Sequence, residues 1–269
     1  MKNIFLSAIL ILSTASSFAA EAESRSAGAA IKREASECVA DAKGLALAPL
    51  HWNAEMWKRV AESAAVVGVV YASDRSLYNA VQRNRSQTTD DFAKAVTPFG
   101  GHRALQASVL MIGSGLLFRN TTLRDAGIDS LESELWAAGV VTPLIKRAVG
   151  RSRPIQEEGA SSFHPFSGNH QSFPSGHSTN AFAFATAVAG HYDGWVVPTI
   201  VYTIASGVAF SRVNDRAHFP SDVVAGALIG HAVARSVVYR HRTTQRYAMS
   251  VSPLFGEHAV GLMFAVHTR

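Results

Sequence analysis

Between His51 and Arg240 the chain offers apolar runs of helix length and almost no strand signal, so its core must come from helices packed on helices. Six segments follow from these runs and their punctuation: His51 to Ala72, His102 to Phe118, Ser130 to Arg147, Ser175 to Ala189, Trp195 to Phe210 and Ser221 to Arg240. The stretch Arg75 to Gly101, which includes RNRSQTTDDFAK, is polar and reads as a connector with a short helix of its own. The expected fold is all-α, a helical bundle of about six core helices, and a 48 % hydrophobic composition lets one large domain bury enough core. After Arg242 the pattern changes. SVSPLF and HAVGLMFAV, broken by Gly256 and Glu257, predict a short C-terminal β-hairpin.

Three polar clusters interrupt the apolar pattern, and each sits at a helix terminus: KRAVGRSRP from Lys146 to Pro154, PSGH from Pro174 to His177, and SRVNDRAHFPSD from Ser211 to Asp222. Alone, each has an ordinary reading: a solvated basic helix end, a turn before a helix, a structural histidine. As an ordered set they assemble a phosphate site. Lys146, Arg153 and Arg212 supply positive charge, and the two arginines can each bind a pair of phosphate oxygens. Ser175 and Gly176 open a helix whose free amides and dipole favour an anion, with the Ser175 hydroxyl as a further donor. His177, His218 and Asp222 can supply acid, nucleophile and orienting carboxylate. His218 and Asp222 are four apart, with Pro220 suited to a first helical position, so contact between them is permitted. These residues alone leave open which histidine attacks, and the chemistry calls for no metal ligand and no cofactor.

In these clusters the chain resembles the superfamily of type 2 phosphatidic acid phosphatases, bacterial non-specific acid phosphatases and vanadium haloperoxidases. The signature is Lys, six residues, Arg-Pro; then Pro-Ser-Gly-His; then Ser-Arg, five residues, His, three residues, Asp; all eleven positions match. The resemblance implies that His218 attacks phosphorus to give a phosphohistidine. Asp222 would hold its tautomer, and His177 would protonate the leaving alkoxide and later activate water. Lys146, Arg153, Ser175, Gly176 and Arg212 would bind phosphate. It implies a metal-independent phosphomonoesterase acting on a phosphorylated lipid or a small soluble ester. The same residues would also suit a vanadate-dependent haloperoxidase, generally a much longer chain, or a non-catalytic phosphate-binding envelope protein, which would have no use for an acid and a nucleophile.

The ends carry targeting information. Met1 to Ala20 combines a lysine, an apolar run from Ile4 to Leu12 and small residues, which reads as a cleavable signal peptide, with cleavage after Ala19, Ala20 or Ala22. Residues 21–50 read as a polar N-terminal segment, 51–242 as the phosphatase-like helical domain and 243–269 as a tail. Cys38 is the sole cysteine, so an intramolecular disulfide is excluded. A net charge of +5 invites a nucleic-acid reading, but the basic residues are dispersed and three belong to the phosphate site, so no nucleic-acid partner is expected. Attraction to anionic lipid surfaces is the simpler consequence. The charge-free stretch from Trp195 to Ser211 is short for a membrane span, so together with the cleavable signal it points to a periplasmic globular protein, for which membrane association stays open. An integral inner-membrane protein whose site faces the periplasm is the alternative.

Overall fold

The computed structural model describes residues 48–243, 247–256 and 259–268. The expected signal peptide, its cleavage site and Cys38 lie outside these residues.

A helical unit spans Lys58–Thr244. Its long helices are α1 (Ala54–Ala72), α4 (His102–Leu117), α5 (Thr121–Glu134), α7 (Gly176–Gly190), α8 (Val196–Asn214) and α9 (Pro220–Thr243). The polar connector holds two short helices where one was expected, α2 (Asp74–Arg83) and α3 (Gln87–Val96), followed by a 3-10 turn, Thr97–Gly100. Ser86 starts α3 with a reciprocal cap: Thr89 N donates to Ser86 Oγ at 3.3 Å and Ser86 N donates to Thr89 Oγ1 at 2.9 Å.

The third expected helix begins earlier than its apolar pattern, because Asn120 caps α5 by accepting from Leu123 N at 2.9 Å. It then runs through a π-helical stretch, Leu135–Val141, into α6 (Thr142–Val149), so the chain stays helical up to the first cluster. Gly150 ends it in the left-handed conformation, φ +59°, and a Cβ there would lie 1.8 Å from the carbonyl oxygen of His164.

Helix α7 is the central element, packed against α9, α8 and α5. Its contacts are made by small residues. Ala183 and Ala187 pack with Ala137, Val233, Ala234 and Val238 on one side, and Ala181 and Ala185 pack with Ala205 and Val208 on the other. Gly226 and Gly230 let α9 approach closely: a Cβ would come within 2.5 Å of Ser175 O at the first and 2.2 Å of Thr179 O at the second. This close packing holds the N-termini of α7 and α9 together, with Ser175 N donating to Asp222 O at 2.9 Å.

The outer helices keep apolar side chains in solvent contact. Helix α1 buries none of its residues, and Val69, Leu110, Leu117, Phe118, Leu144 and Trp195 are each more than 60 % exposed. Val196–Asn214 and Pro220–Arg242 are long and apolar enough to cross a bilayer by length and composition. The expected hairpin is present: β1 (Tyr247–Gly256) pairs antiparallel with β2 (Ala259–Thr268), with Tyr247 opposite Thr268 and Gly256 opposite Ala259.

Candidate phosphate site

The three clusters meet in the helical unit. Lys146 comes from the last turn of α6, and its methylene Cε lies 3.8 Å from where a Cβ on Gly176 would stand. Its ammonium donates to the carbonyls of Gln171 and Ser172, which tie it to the loop preceding α7. Burial, together with the nearby Arg153, lowers the Lys146 pKa to about 8.

His177 lies in the first turn of α7 and is half-buried. Burial first, then the charges of Arg212, Arg153 and Lys146, push its pKa down to about 4. The three cations expected to bind phosphate thus all act on one imidazole. The turn Thr97–Gly100 holds that residue closely: a Cβ on Gly100 would stand 2.8 Å from His177 O and 2.9 Å from its Cβ. Arg212 Nη1 donates to Thr97 Oγ1 at 3.2 Å and to Asp215 Oδ2 at 3.0 Å. Its Nε is buried with no hydrogen-bond partner, a donor available to an added anion.

Ser175 is fully buried at the N-cap of α7, where its Oγ accepts from Ser178 N at 3.4 Å. This capping duty was not read from the sequence, which gave the hydroxyl to phosphate alone. Arg153 enters a 3-10 turn, Pro154–Gln156, where its own amide donates to Gln156 Oε1 at 2.6 Å.

His218 is 3 % exposed and Asp222 fully buried. Their direct hydrogen bond, expected from the spacing, is not formed: His218 Nδ1 stands 3.7 Å from Asp222 Oδ2. Ser172 lies between them. Its hydroxyl donates to Asp222 Oδ2 at 2.6 Å and is 3.4 Å from His218 Nδ1. With the hydroxyl proton turned to Asp222, Ser172 can only accept from His218, which assigns the imidazole proton to Nδ1 and the lone pair to Nε2. Burial outweighs the pull of Asp222, so the His218 pKa falls to about 4 and the ring is neutral at pH 7.

The sequence reading missed what holds Asp222. Arg151, inside the first cluster but given no role, is fully buried; Nη1 donates to Asp222 Oδ1 and Nη2 to Asp74 Oδ2, each at 2.6 Å. Asp74 in turn accepts from Ser221 N at 2.8 Å and Ser221 Oγ at 2.6 Å. The guanidinium also lies over Phe219, 4.5 Å from its ring centroid, and Tyr71, at 5.0 Å. Its position among the basic residues was a signal; nothing in the sequence flagged Asp74 or Ser172.

A helical bundle that gathers cations, a helix N-terminus and two neutral imidazoles is suited to an anion such as phosphate. Residues 133–246 match the model of the PAP2 superfamily. Lipid A 1-phosphatase of Rhizobium etli is 42 % identical over 108 residues, 38 % of this chain and 46 % of the relative. Probable diacylglycerol pyrophosphate phosphatase 1 of Schizosaccharomyces pombe is 31 % identical over 166 residues, 49 % of this chain and 59 % of the relative. The chain therefore spans about half the length of these relatives. Among solved structures, a transmembrane PAP2 type phosphatidylglycerolphosphate phosphatase from Bacillus subtilis shares the fold. It has a TM-score of 0.53 at 23 % identity, over 70 % of this chain and 98 % of that one.

Proposed function

We propose that this protein is a metal-independent phosphatase of lipid phosphate esters that works through a phosphohistidine on His218. The observation that carries this reading is the buried, neutral His218, whose Nδ1 side is tied to Asp222 through Ser172, leaving Nε2 as the lone pair. Nε2 attacks phosphorus, the bond from phosphorus to the ester oxygen breaks, and His177 delivers a proton to the departing alkoxide. Water then adds to phosphorus as His177 takes its proton, the bond between phosphorus and His218 Nε2 breaks with its electron pair returning to nitrogen, and inorganic phosphate leaves. Lys146, Arg153 and Arg212, the amides opening α7 at Gly176, and Ser175 hold the phosphate oxygens.

In the free site burial and the three cations keep His177 neutral at pH 7, and a bound phosphate monoanion can supply its catalytic proton. A phosphate monoester retains one proton below about pH 6, and its negative charge offsets the three cations that depress His177. The monoanion therefore brings both the proton and the field that lets His177 keep it.

Lipid esters are favoured over soluble ones by the names of the relatives and by the apolar side chains exposed on α1, α4 and α8. Those side chains also support membrane association of residues 51–242; the sequence pattern of Met1 to Ala20 is what supports a signal peptide and a site facing the periplasm. The test is rapid quenching with labelled lipid phosphate in EDTA: label should appear on His218 as an acid-labile adduct. Turnover without any phosphoenzyme, or turnover lost in EDTA and restored by zinc, would overturn the mechanism.

A further inference from the structure

The loop between Arg153 and Ser175 carries a second group of chemistry-bearing residues that the phosphatase reaction does not use. Glu158, His164 and His170 each turn one ligand atom to a common point, all within 4.8 Å of one another. Glu158 Oε2 is 3.0 Å from His164 Nε2, and Glu158 Oε1 is 3.4 Å from His170 Nε2. Ligands bound at about 2.0 to 2.1 Å in a tetrahedron stand about 3.3 Å apart; the two contacts run to different oxygens of Glu158, and both are short enough for small side-chain rotations to bring the three groups around one ion. The two imidazoles are neighbours, with centroids 4.1 Å apart and ring planes tilted by 35°.

Further features point the same way. Ser167 Oγ lies 2.8 Å from His170 Nδ1, which occupies that nitrogen and leaves Nε2 to face Glu158, the arrangement by which a neighbouring group orients a metal-bound histidine. Hydrogen bonds from Ser152 Oγ at 2.7 Å and Ser162 Oγ at 2.9 Å, together with His164, hold the Glu158 pKa down at about 2, so the carboxylate is ionised at neutral pH. His164 and Glu158 are 48 % and 40 % exposed, which leaves room for water as a fourth ligand.

We infer that Glu158, His164 and His170 form a binding site for a divalent transition metal, zinc by donor set, that fastens the loop outside the phosphate site. Two imidazoles and one carboxylate suit zinc and disfavour magnesium and calcium, which prefer all-oxygen shells. The loop ends at Gln171 and Ser172, whose carbonyls accept from Lys146. Any metal must compete with protons for imidazole nitrogens, so affinity should fall as pH is lowered.

The test uses the full chain, stripped with EDTA and titrated with zinc chloride by calorimetry, magnesium chloride serving as control. One zinc per chain is expected, together with a raised unfolding temperature. Affinity should fall at least about tenfold in His170→Gln and in Glu158→Gln, and further in His164→Gln/His170→Gln. The glutamines keep hydrogen-bonding capacity, so intact circular dichroism and unchanged activity in EDTA would show that the variants are folded. Failure to bind zinc stoichiometrically, or equal affinity in the double variant, would overturn the site. Because the EDTA-treated enzyme is assayed separately, that failure leaves the phosphatase reading standing, and loss of activity in EDTA would sink the latter alone.

Discussion

Two places in this molecule pair histidine with a carboxylate, and they differ in water. At the start of α9, His218 and Asp222 are buried, and every oxygen of Asp222 is engaged by Arg151, Ser172 or the amide of Phe219. In the loop before α7, Glu158 and His164 are substantially exposed and held by serine hydroxyls. Burial pushes the His218 pKa down and keeps its imidazole neutral, whereas the second pair stands open to water and to an added cation. Under the two proposals above, the same residue types would serve for covalent chemistry in one place and for exchangeable binding in the other.

The comparison is strongest where substitution should be most damaging. His218→Ala should lower single-turnover rates at least about 10³-fold, since both nucleophile and intermediate are lost. Activity within tenfold of the parent protein would place the nucleophile elsewhere. Next comes Arg151→Met, which strands Asp222 and Asp74 without their cation. Loss of one partner of a buried pair costs about 3–5 kcal/mol, to be read from denaturant unfolding. A loss below about 1 kcal/mol would mean the network is not what holds α9 in place.

Gly100→Ala pushes on the backbone and Cβ of His177, and a displacement near 1 Å should cost up to about 10²-fold in kcat, with the larger loss on alkyl esters, whose alkoxide needs the proton. Equal loss on nitrophenyl phosphate would assign His177 a positioning role instead.

The pH profile follows from charge. His218 must be neutral to attack, so kcat/KM should rise to a plateau above pH 4; it should decline above about pH 6 as the substrate gives up the proton that His177 needs, and steepen above 8 as Lys146 loses its charge. Lys146→Arg should remove the final steepening and leave the rest. The smallest effect belongs to the exposed pair: His164→Gln should change stability by no more than about 0.5 kcal/mol and leave activity in EDTA unaltered.

The helices were legible because their apolar runs and caps are local, and the eleven signature positions because each cluster is nearly contiguous. The start of α5 was harder: Asp125, Asp129 and Glu132 break its apolar pattern, and the Asn120 cap is short-range information that periodicity does not carry. Exposure was not legible either, because buried and lipid-facing helices carry the same apolar composition; that α1 buries none of its residues emerges only from packing.

The sequence by itself determined an all-α core, the order of the three clusters and the residue types a phosphate requires, since propensity, capping and cluster spacing act over a few residues. Only the tertiary structure decided that Arg151 joins Asp222 to Asp74, that Ser172 stands between Asp222 and His218, and that Glu158, His164 and His170 converge. Asp74 and Asp222 come from different helices, and small residues in α7 and α9 let the helix ends close on one another. Which partners meet, and how dry the meeting place is, depends on that packing and not on any local run of the chain.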